Sequence, residues 1–118
     1  MTATDHALEL IVTAAGFGEQ IVAFDVSEQL AITDAFLIIS ASNERQVGAI
    51  VDAVEDALRE AGAKPIRREG QRDGRWVLLD YGDIVVHVQH EEERQFYALE
   101  RLWRDCPAIE LPEDVTRP

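Results

Sequence analysis

Residues 76–90 constrain the fold more than any other stretch of the chain, and their sequence is WVLLDYGDIVVHVQH. Two arms rich in β-branched and aromatic residues, which favour strands, flank residues 80–83. Gly82 lies within that short segment and tolerates the positive φ that many tight turns require. The pattern therefore predicts a β-hairpin that turns at residues 80–83.

The first arm of this hairpin is largely apolar on both faces. Side chains alternate along a strand and so fall into two sets: Trp76, Leu78 and Asp80 on one face, and Val77, Leu79 and Tyr81 on the other. A strand of this kind needs cover on each side. A chain of 118 residues has few helices to supply it. We therefore expect one face to be covered only in part.

Three further segments have the composition of strands. Residues 21–26 suit a short strand, and residues 34–42 contain an uninterrupted apolar run. Such a run is typical of a strand buried on both faces, so we expect it in the middle of the sheet. Residues 65–69 are the candidate returning strand of a parallel crossover that begins with residues 34–42.

Three segments have helical periodicity. Residues 4–15 space their apolar side chains at Leu8, Ile11, Val12 and Ala15. A second helix, capped by Asn43 and ended by Gly62, has a stripe made of Val47, Ile50, Val51, Val54 and Leu58. Residues 91–106 predict a third helix, with a stripe made of Phe96, Leu99, Leu102, Trp103 and Cys106.

The order of these elements predicts an α/β (α+β) fold with a mixed five-stranded sheet and three helices. We expect a single domain over residues 1–107 and a loose tail over residues 108–118, where charges and proline predominate. The crossover helix and one other should cover one face of the sheet. The opposite face near Trp76 and Leu78 should then remain accessible.

The charge of the chain limits its partners. With 23 acidic and 11 basic residues the formal net charge is -12, which disfavours general attraction to nucleic acid or anionic lipid and favours a basic protein partner. The single cysteine, Cys106, excludes an internal disulfide and fits a reducing compartment. We see neither a signal-peptide pattern nor an apolar run long enough to span a membrane. We therefore expect a cytoplasmic protein.

Candidate catalytic and metal-binding residues are few. Asp80 and Asp83 resemble a metal-holding carboxylate pair, but such a pair needs i, i+2 spacing on one strand, so we favour turn stabilisation or partner contact. His87 and His90 lie three apart and so point to opposite faces of a strand. We expect His87 to pack beside the turn or to contact a partner. Cys106 has no neighbouring base, and burial explains it better. We predict no catalytic residue, metal or cofactor.

One basic stretch is an exception to the acidic composition; it contains Lys64, Arg67, Arg68, Arg72 and Arg75. These charges can protect an exposed sheet edge from pairing with other strands. They can also make a peripheral contact with ribonucleic acid phosphate or with an acidic protein surface. The sequence favours edge protection and leaves the second interpretation open.

Aromatic and arginine residues suggest a protein interface. Trp103 lies on the apolar stripe of the last predicted helix and is expected in the core. Interfaces concentrate tryptophan, tyrosine and arginine, which makes Trp76, Tyr81, Arg94 and Tyr97 candidate binding residues. Core packing is the alternative for each of them.

Together these residues resemble the ribosomal silencing factors, also called Iojap-like proteins. The most specific likeness is WVLLDYGDIVVHV at residues 76–88, followed by Arg94, Phe96-Tyr97, Leu99-Glu100 and Leu102-Trp103; DAFLIIS at residues 34–40 and Glu69-Gly70 add to it. Ala41 stands where that family often has glycine, and Gln89-His90 replaces a pair that is often more apolar.

The resemblance implies a fold similar to nucleotidyltransferases without their catalytic signature. It also implies binding to the large ribosomal subunit through ribosomal protein L-fourteen, a steric block to joining of the small subunit when nutrients are short, and a homodimer in the free state. The residues expected to contact the partner are Trp76, Leu78, Asp80, Tyr81, Asp83, His87, Arg94 and Tyr97. The alternative hypothesis is a magnesium-dependent nucleotidyltransferase that uses Asp80 and Asp83.

Overall fold

The computed structural model describes residues 11–13, 16, 18–31 and 33–109. Its elements are β1 (Glu19–Asp25), β2 (Ala35–Ala41), α1 (Glu44–Glu60), β3 (Arg67–Glu69), β4 (Trp76–Asp80), β5 (Ile84–His90), α2 (Glu91–Tyr97) and α3 (Leu99–Leu102). Residues 11–13 are helical, and Ile11 and Val12 are fully buried. The rest of the helix predicted at residues 4–15 lies outside the described residues.

The five strands form one mixed sheet in the order β1-β2-β5-β4-β3. β2 and β5 are parallel, and the other three pairings are antiparallel. β3 therefore has the same direction as β2, as the predicted crossover requires, but it lies at the far edge of the sheet. The hairpin of β4 and β5 fills the space between the two, and β2 is an interior strand as predicted.

Helix α1 covers one face of the sheet and forms the main core. Asn43 caps it, because its side-chain Oδ1 accepts a hydrogen bond from the Gln46 amide at 2.8 Å. The buried stripe is the predicted one: Val47, Ile50, Val51, Val54 and Leu58. It packs against side chains on the same face of the sheet, among them Leu37, Ile39, Val77, Leu79, Val86 and Val88. The i, i+3, i+4 pattern was therefore sufficient to predict this contact.

The last helical region differs from the prediction. A single helix over residues 91–106 with a buried apolar stripe is wrong, because the chain breaks at Ala98, where φ is 47° and the backbone is left-handed. Phe96 is 81% exposed and Leu102 is 72% exposed. Arg94 occupies the buried position instead, at 4% exposure. Cys106 is buried, as predicted.

The first residues of the predicted tail are fixed against the sheet. Ala108 forms an isolated bridge with Phe24, and the Ile109 amide donates to the Ala23 carbonyl at 2.9 Å. This short segment covers part of the outer edge of β1. Residues 110–118 lie outside the described residues. No helix in the described part of the chain is long and apolar enough to cross a membrane.

Candidate partner-binding surface

The face of the sheet opposite α1 carries the predicted binding residues on β4 and β5. The pairing register arranges its central side chains in three rows across β2, β5 and β4: Ser40, Gln89 and Trp76; Ile38, His87 and Leu78; Phe36, Val85 and Asp80. Helix α2 lies over one end of this face. Side chains at the other end remain partly accessible. We call this side of the sheet, opposite α1, the second face.

Trp76 is fixed by two neighbours on the second face. Its indole Nε1 donates to His87 Nδ1 at 3.2 Å. Its ring centroid lies 4.8 Å from that of Tyr97, with the planes tilted by 48°, a separation at which aromatic rings attract. Tyr97 is 48% exposed. Trp76, Tyr97 and the half-buried Leu78 together form an apolar patch that we call the aromatic surface.

His87 supports this patch from below. Its side chain is buried, and desolvation lowers the pKa of its imidazole to about 4. The imidazole is therefore neutral at physiological pH, and its Nδ1 is free to accept the Trp76 hydrogen bond. The predicted contact between His87 and a partner is replaced in our interpretation by a supporting position beneath the aromatic surface.

Arg94 anchors α2 to the sheet. Its Nη1 donates to the Gln20 carbonyl at 2.6 Å and to Ser40 Oγ at 2.7 Å. The pairing of β1 with β2 is irregular just where Gln20 lies, so the carbonyl there is available to a side chain. Because Arg94 is buried, we also place it beneath the surface, where it holds Tyr97 over Trp76. Sequence composition alone had suggested a direct contact.

Gln89 was missed as a buried polar residue. It has no exposed surface, and within the described part of the chain neither atom of its amide has a hydrogen-bond partner. Burying such a group without partners costs about 1–3 kcal/mol. The sequence offers one signal for it: Gln89 continues the strand directly after a largely apolar run.

The candidate residues Asp80 and Asp83 lie at the turn of the hairpin. Asp80 Oδ1 accepts from the Gly82 amide at 2.8 Å, which confirms the predicted turn stabilisation. Gly82 has φ of 89°. The Asp83 carbonyl accepts from the Asp34 amide at 2.8 Å and thus joins the turn to the start of β2.

Tyr81 lies on the opposite face from the aromatic surface and packs against the core below α1. Burial raises the pKa of its phenol to about 12, with a further contribution from Glu55, while Arg68 acts in the opposite direction. Its hydroxyl is buried without a hydrogen-bond partner among the described residues. The structure therefore brings Trp76, Leu78 and Tyr97 together and places Tyr81 elsewhere.

The geometry gives no support to metal-dependent chemistry at the turn. One oxygen of Asp80 is bonded to the turn, and the other lies 3.5 Å from Arg67 Nη2. His90 Nδ1 accepts from the Glu92 amide at 3.1 Å as a cap of α2. Within the ranges that the structure describes, no three His, Cys, Asp or Glu residues are grouped so that they could hold a metal.

A cavity of about 570 Å³ opens beside the aromatic surface. Its lining combines the apolar patch with charged residues of the β3–β4 loop and of α2: Glu69, Gly70, Asp73, Arg75, Trp76, Leu78, Glu93 and Tyr97. Arg75 donates to Glu93 at 3.0 Å, Glu44 at 3.2 Å and Glu92 at 3.3 Å, and these bonds raise the pKa of its guanidinium. Arg75 therefore belongs to an ion-pair cluster with α1 and α2 as well as to the basic stretch.

The basic stretch lies along an edge strand. All three residues of β3 are exposed, and the strand pairs only with β4 within the described sheet. Arg68 Nη1 lies 3.0 Å from a Glu55 oxygen, so this charge pairs with α1. Lys64 and Arg72 have no ion pair with any described residue. This position supports the predicted edge protection, while the contact with ribonucleic acid stays a prediction.

Comparison with known proteins decides the family. The model of the family described as "Ribosomal silencing factor during starvation" matches residues 2–118. The chain belongs to this family. A ribosomal silencing factor RsfS from Halalkalibacterium halodurans is 45% identical to it over 93 residues, which are 79% of this chain and 80% of the relative. The chloroplastic protein Iojap of Zea mays is 35% identical over 88 residues, covering 72% of this chain and 37% of that protein.

Solved structures agree with the fold. A crystal structure from Bacillus halodurans has a TM-score of 0.80 and 40% identity, covering 91% of this chain and 99% of that chain. An X-ray structure of a protein from Chromobacterium violaceum has a TM-score of 0.83 and 30% identity, covering 94% and 95%. The predicted resemblance to the silencing factors is thus confirmed, and so is the mixed five-stranded sheet.

Proposed function

We propose that this ribosomal silencing factor represses translation by binding the large ribosomal subunit through ribosomal protein L-fourteen and blocking the small subunit sterically. The family description, with its reference to starvation, supports an action under nutrient limitation. The observation that carries the proposed protein contact is the aromatic surface. It is a partly accessible apolar patch formed by β4 and α2, in which the Tyr97 ring packs against Trp76 and is itself 48% exposed.

The aromatic surface has the properties of an interface centre. Tryptophan and tyrosine are the residues whose truncation most often weakens protein complexes. Trp76 is held by its hydrogen bond to His87 and by Tyr97, so binding would cost little side-chain entropy at this position. Leu78 extends the apolar area along the same strand. A partner that covers these three side chains would remove them from water.

Charge supports a basic protein as the partner. The formal net charge of -12 repels phosphate and attracts cationic surfaces. Charge of this kind accelerates encounter, whereas buried aromatic contacts determine how long the complex lasts. Asp80 lies on the second face and Asp83 at the hairpin turn beside it, where both can face such a partner. The contact of Lys64, Arg67, Arg68 and Arg72 with ribosomal ribonucleic acid would then be peripheral.

The block to subunit joining would need no catalysis. The described part of the chain is a body of 33 × 33 × 28 Å, built around one sheet. A rigid body of that size on the intersubunit side of ribosomal protein L-fourteen would occupy space that the small subunit needs. Repression would therefore be reversible on release.

In the free state we propose a homodimer. Phe96 on α2 and Leu102 on α3 are large apolar side chains with 81% and 72% exposure, and the Phe96 ring contacts the ring of Tyr97. Association of two copies would remove such side chains from water, as homodimer interfaces generally do.

Tyr97→Ala tests the proposed surface. Tyr97 contributes exposed aromatic area, so its truncation should weaken binding to isolated large subunits by roughly 5- to 30-fold in a sedimentation assay, as expected for a hot-spot residue. The yield of joined ribosomes should rise in parallel.

Tyr97→Phe is the matched control, because it keeps the ring beside Trp76 and removes only the hydroxyl. It should sediment with large subunits like the unmodified chain. Circular dichroism establishes that both variants are folded. Equal binding by Tyr97→Ala and the unmodified chain would show that the aromatic surface is not the contact.

A further inference from the structure

The cavity beside the aromatic surface carries an excess of negative charge. Three carboxylates, Glu69, Asp73 and Glu93, face it together with one cation, Arg75. That cation is already bonded to Glu93, and to Glu44 and Glu92 outside the cavity lining. The single positive charge of Arg75 is thus paired with three carboxylates.

Glu69 and Asp73 differ from Glu93 in this respect. Among the described residues neither of them has an ion pair. Glu69 lies on β3 directly opposite Leu78, and Asp73 lies in the loop that leads to β4. Both carboxylates therefore remain available to a cation that enters the cavity. They are exposed, so a free side chain can reach them without unfolding the loop.

The apolar wall of the cavity selects the shape of that cation. Trp76 and Tyr97 present ring surface and Leu78 presents an aliphatic side chain. An arginine combines a stem that packs on apolar surface with a planar guanidinium that stacks on aromatic rings and binds carboxylates through several N–H groups. Lysine lacks the planar group, and a phosphate has the wrong charge.

We propose that this cavity receives an arginine side chain of the ribosomal protein that the chain binds. The inference rests on the proposed function and specifies the chemistry of recognition at the same surface. The guanidinium binds Glu69 and Asp73, and its stem covers Leu78 and the edge of Trp76. A volume of about 570 Å³ leaves room for the neighbouring backbone of the partner.

The first test uses the full chain labelled with ¹⁵N and titrated with N-acetyl-L-arginine methylamide. We expect saturable chemical-shift changes at the Trp76 indole N–H and the Gly70 amide. The citrulline analogue has the same shape without the charge and should bind at least roughly tenfold more weakly. Equal shifts with both compounds, or stronger shifts with inorganic phosphate or a short RNA, would overturn the proposal.

The second test removes the two free carboxylates. Glu69→Gln combined with Asp73→Asn should weaken binding of the arginine compound at least roughly fivefold and should also weaken sedimentation with large subunits. The control is Glu60→Gln combined with Asp52→Asn, which removes the same charge from exposed positions on α1. If the control pair weakens binding equally, general attraction to the acidic chain explains the effect and the cavity does not.

The two assays separate this inference from the function on which it rests. If the unmodified chain sediments with large subunits but gives no saturable arginine shifts, the cavity assignment alone is wrong. If the arginine shifts are saturable and the unmodified chain does not sediment, the proposed ribosomal contact is wrong and the arginine site stands.

Discussion

The hydrogen bond between Trp76 and the buried His87 shows how the protonation state of one imidazole supports a surface residue. The indole N–H donates to Nδ1 of the imidazole, which accepts only while that nitrogen is unprotonated. The ring of Phe36 packs edge-on against the same imidazole, with the ring centroids 5.3 Å apart. These apolar surroundings favour the neutral form of His87. The orientation of Trp76 therefore depends on the protonation state of a residue that solvent hardly reaches.

His87 should make stability depend on pH. Its pKa is about 4 in the folded chain and 6.5 as an unperturbed side chain, so the unfolded chain binds the proton more readily between these values. The stabilising contribution is fully present above pH 6.5 and is lost as the pH falls toward 4. The free energy of unfolding should decrease by about 3 kcal/mol across that window.

Urea denaturation at a series of pH values measures this effect. His87→Gln removes the titrating group, and its amide oxygen can still accept from the Trp76 indole. The unmodified chain should lose stability more steeply than the variant between pH 6.5 and 4, since carboxylate titrations contribute equally to both. Parallel curves would contradict the assigned role of His87.

At the scale of elements, the β3–β4 connection determines where Trp76 lies. Gly70 follows β3 with φ of 87°, and a Cβ at this position would lie 1.9 Å from the Trp76 carbonyl oxygen. No side chain can be accommodated there unless β4 moves. The close approach of Gly70 to the backbone thus fixes the start of the strand that carries the aromatic surface.

Gly70→Ala should destabilise the fold severely, by about 3–5 kcal/mol, because the backbone clash adds to the strain of a positive φ. Gly62→Ala is a matched control: its φ is 89°, but a Cβ there would have no neighbour within 4 Å. Gly62→Ala should lower the free energy of unfolding by only about 1–2 kcal/mol, the cost of a positive φ for a residue with a Cβ. Chemical denaturation compares the two variants, and equal losses would contradict the proposed close approach.

At the scale of the whole molecule, negative charge and a partly exposed apolar patch coexist on one small body. The charge is distributed over many exposed carboxylates, whereas the apolar contact is confined to one side of the sheet. We therefore expect the charge to govern the rate of encounter with a basic partner and the patch to govern the lifetime of the complex.

Salt should slow association with purified ribosomal protein L-fourteen. Raising the ionic strength from about 0.05 to 0.5 M shortens the screening length to a few ångströms and should lower the association rate constant roughly tenfold or more. The dissociation rate should change much less. Surface plasmon resonance or stopped-flow fluorescence measures both rates. An association rate that is insensitive to salt would exclude steering by the net charge.

Prediction from sequence succeeded for elements whose burial or turn depends on their own residue pattern. The stripe of α1 follows from helical periodicity, the hairpin turn from Gly82, and the interior position of β2 from its uninterrupted apolar run. It failed at residues 91–106, where Phe96 and Leu102 fit a helical stripe but point to solvent. The left-handed break at Ala98 and the hydrogen bonds from Arg94 to Gln20 and Ser40 redirect this region, and residue spacing does not predict them.

The sequence by itself determined the order of the elements, the two-sided apolar hairpin and the acidic charge, because these depend on residue type and on periods of 2 and 3.6 residues. The alternation of the strand already placed Tyr81 on the face opposite Trp76, and only the tertiary structure decided that Tyr97 joins Trp76 in one patch. It also buried His87, Gln89 and Arg94 beneath that patch. Those outcomes depend on contacts between residues distant in the chain, which local patterns do not record.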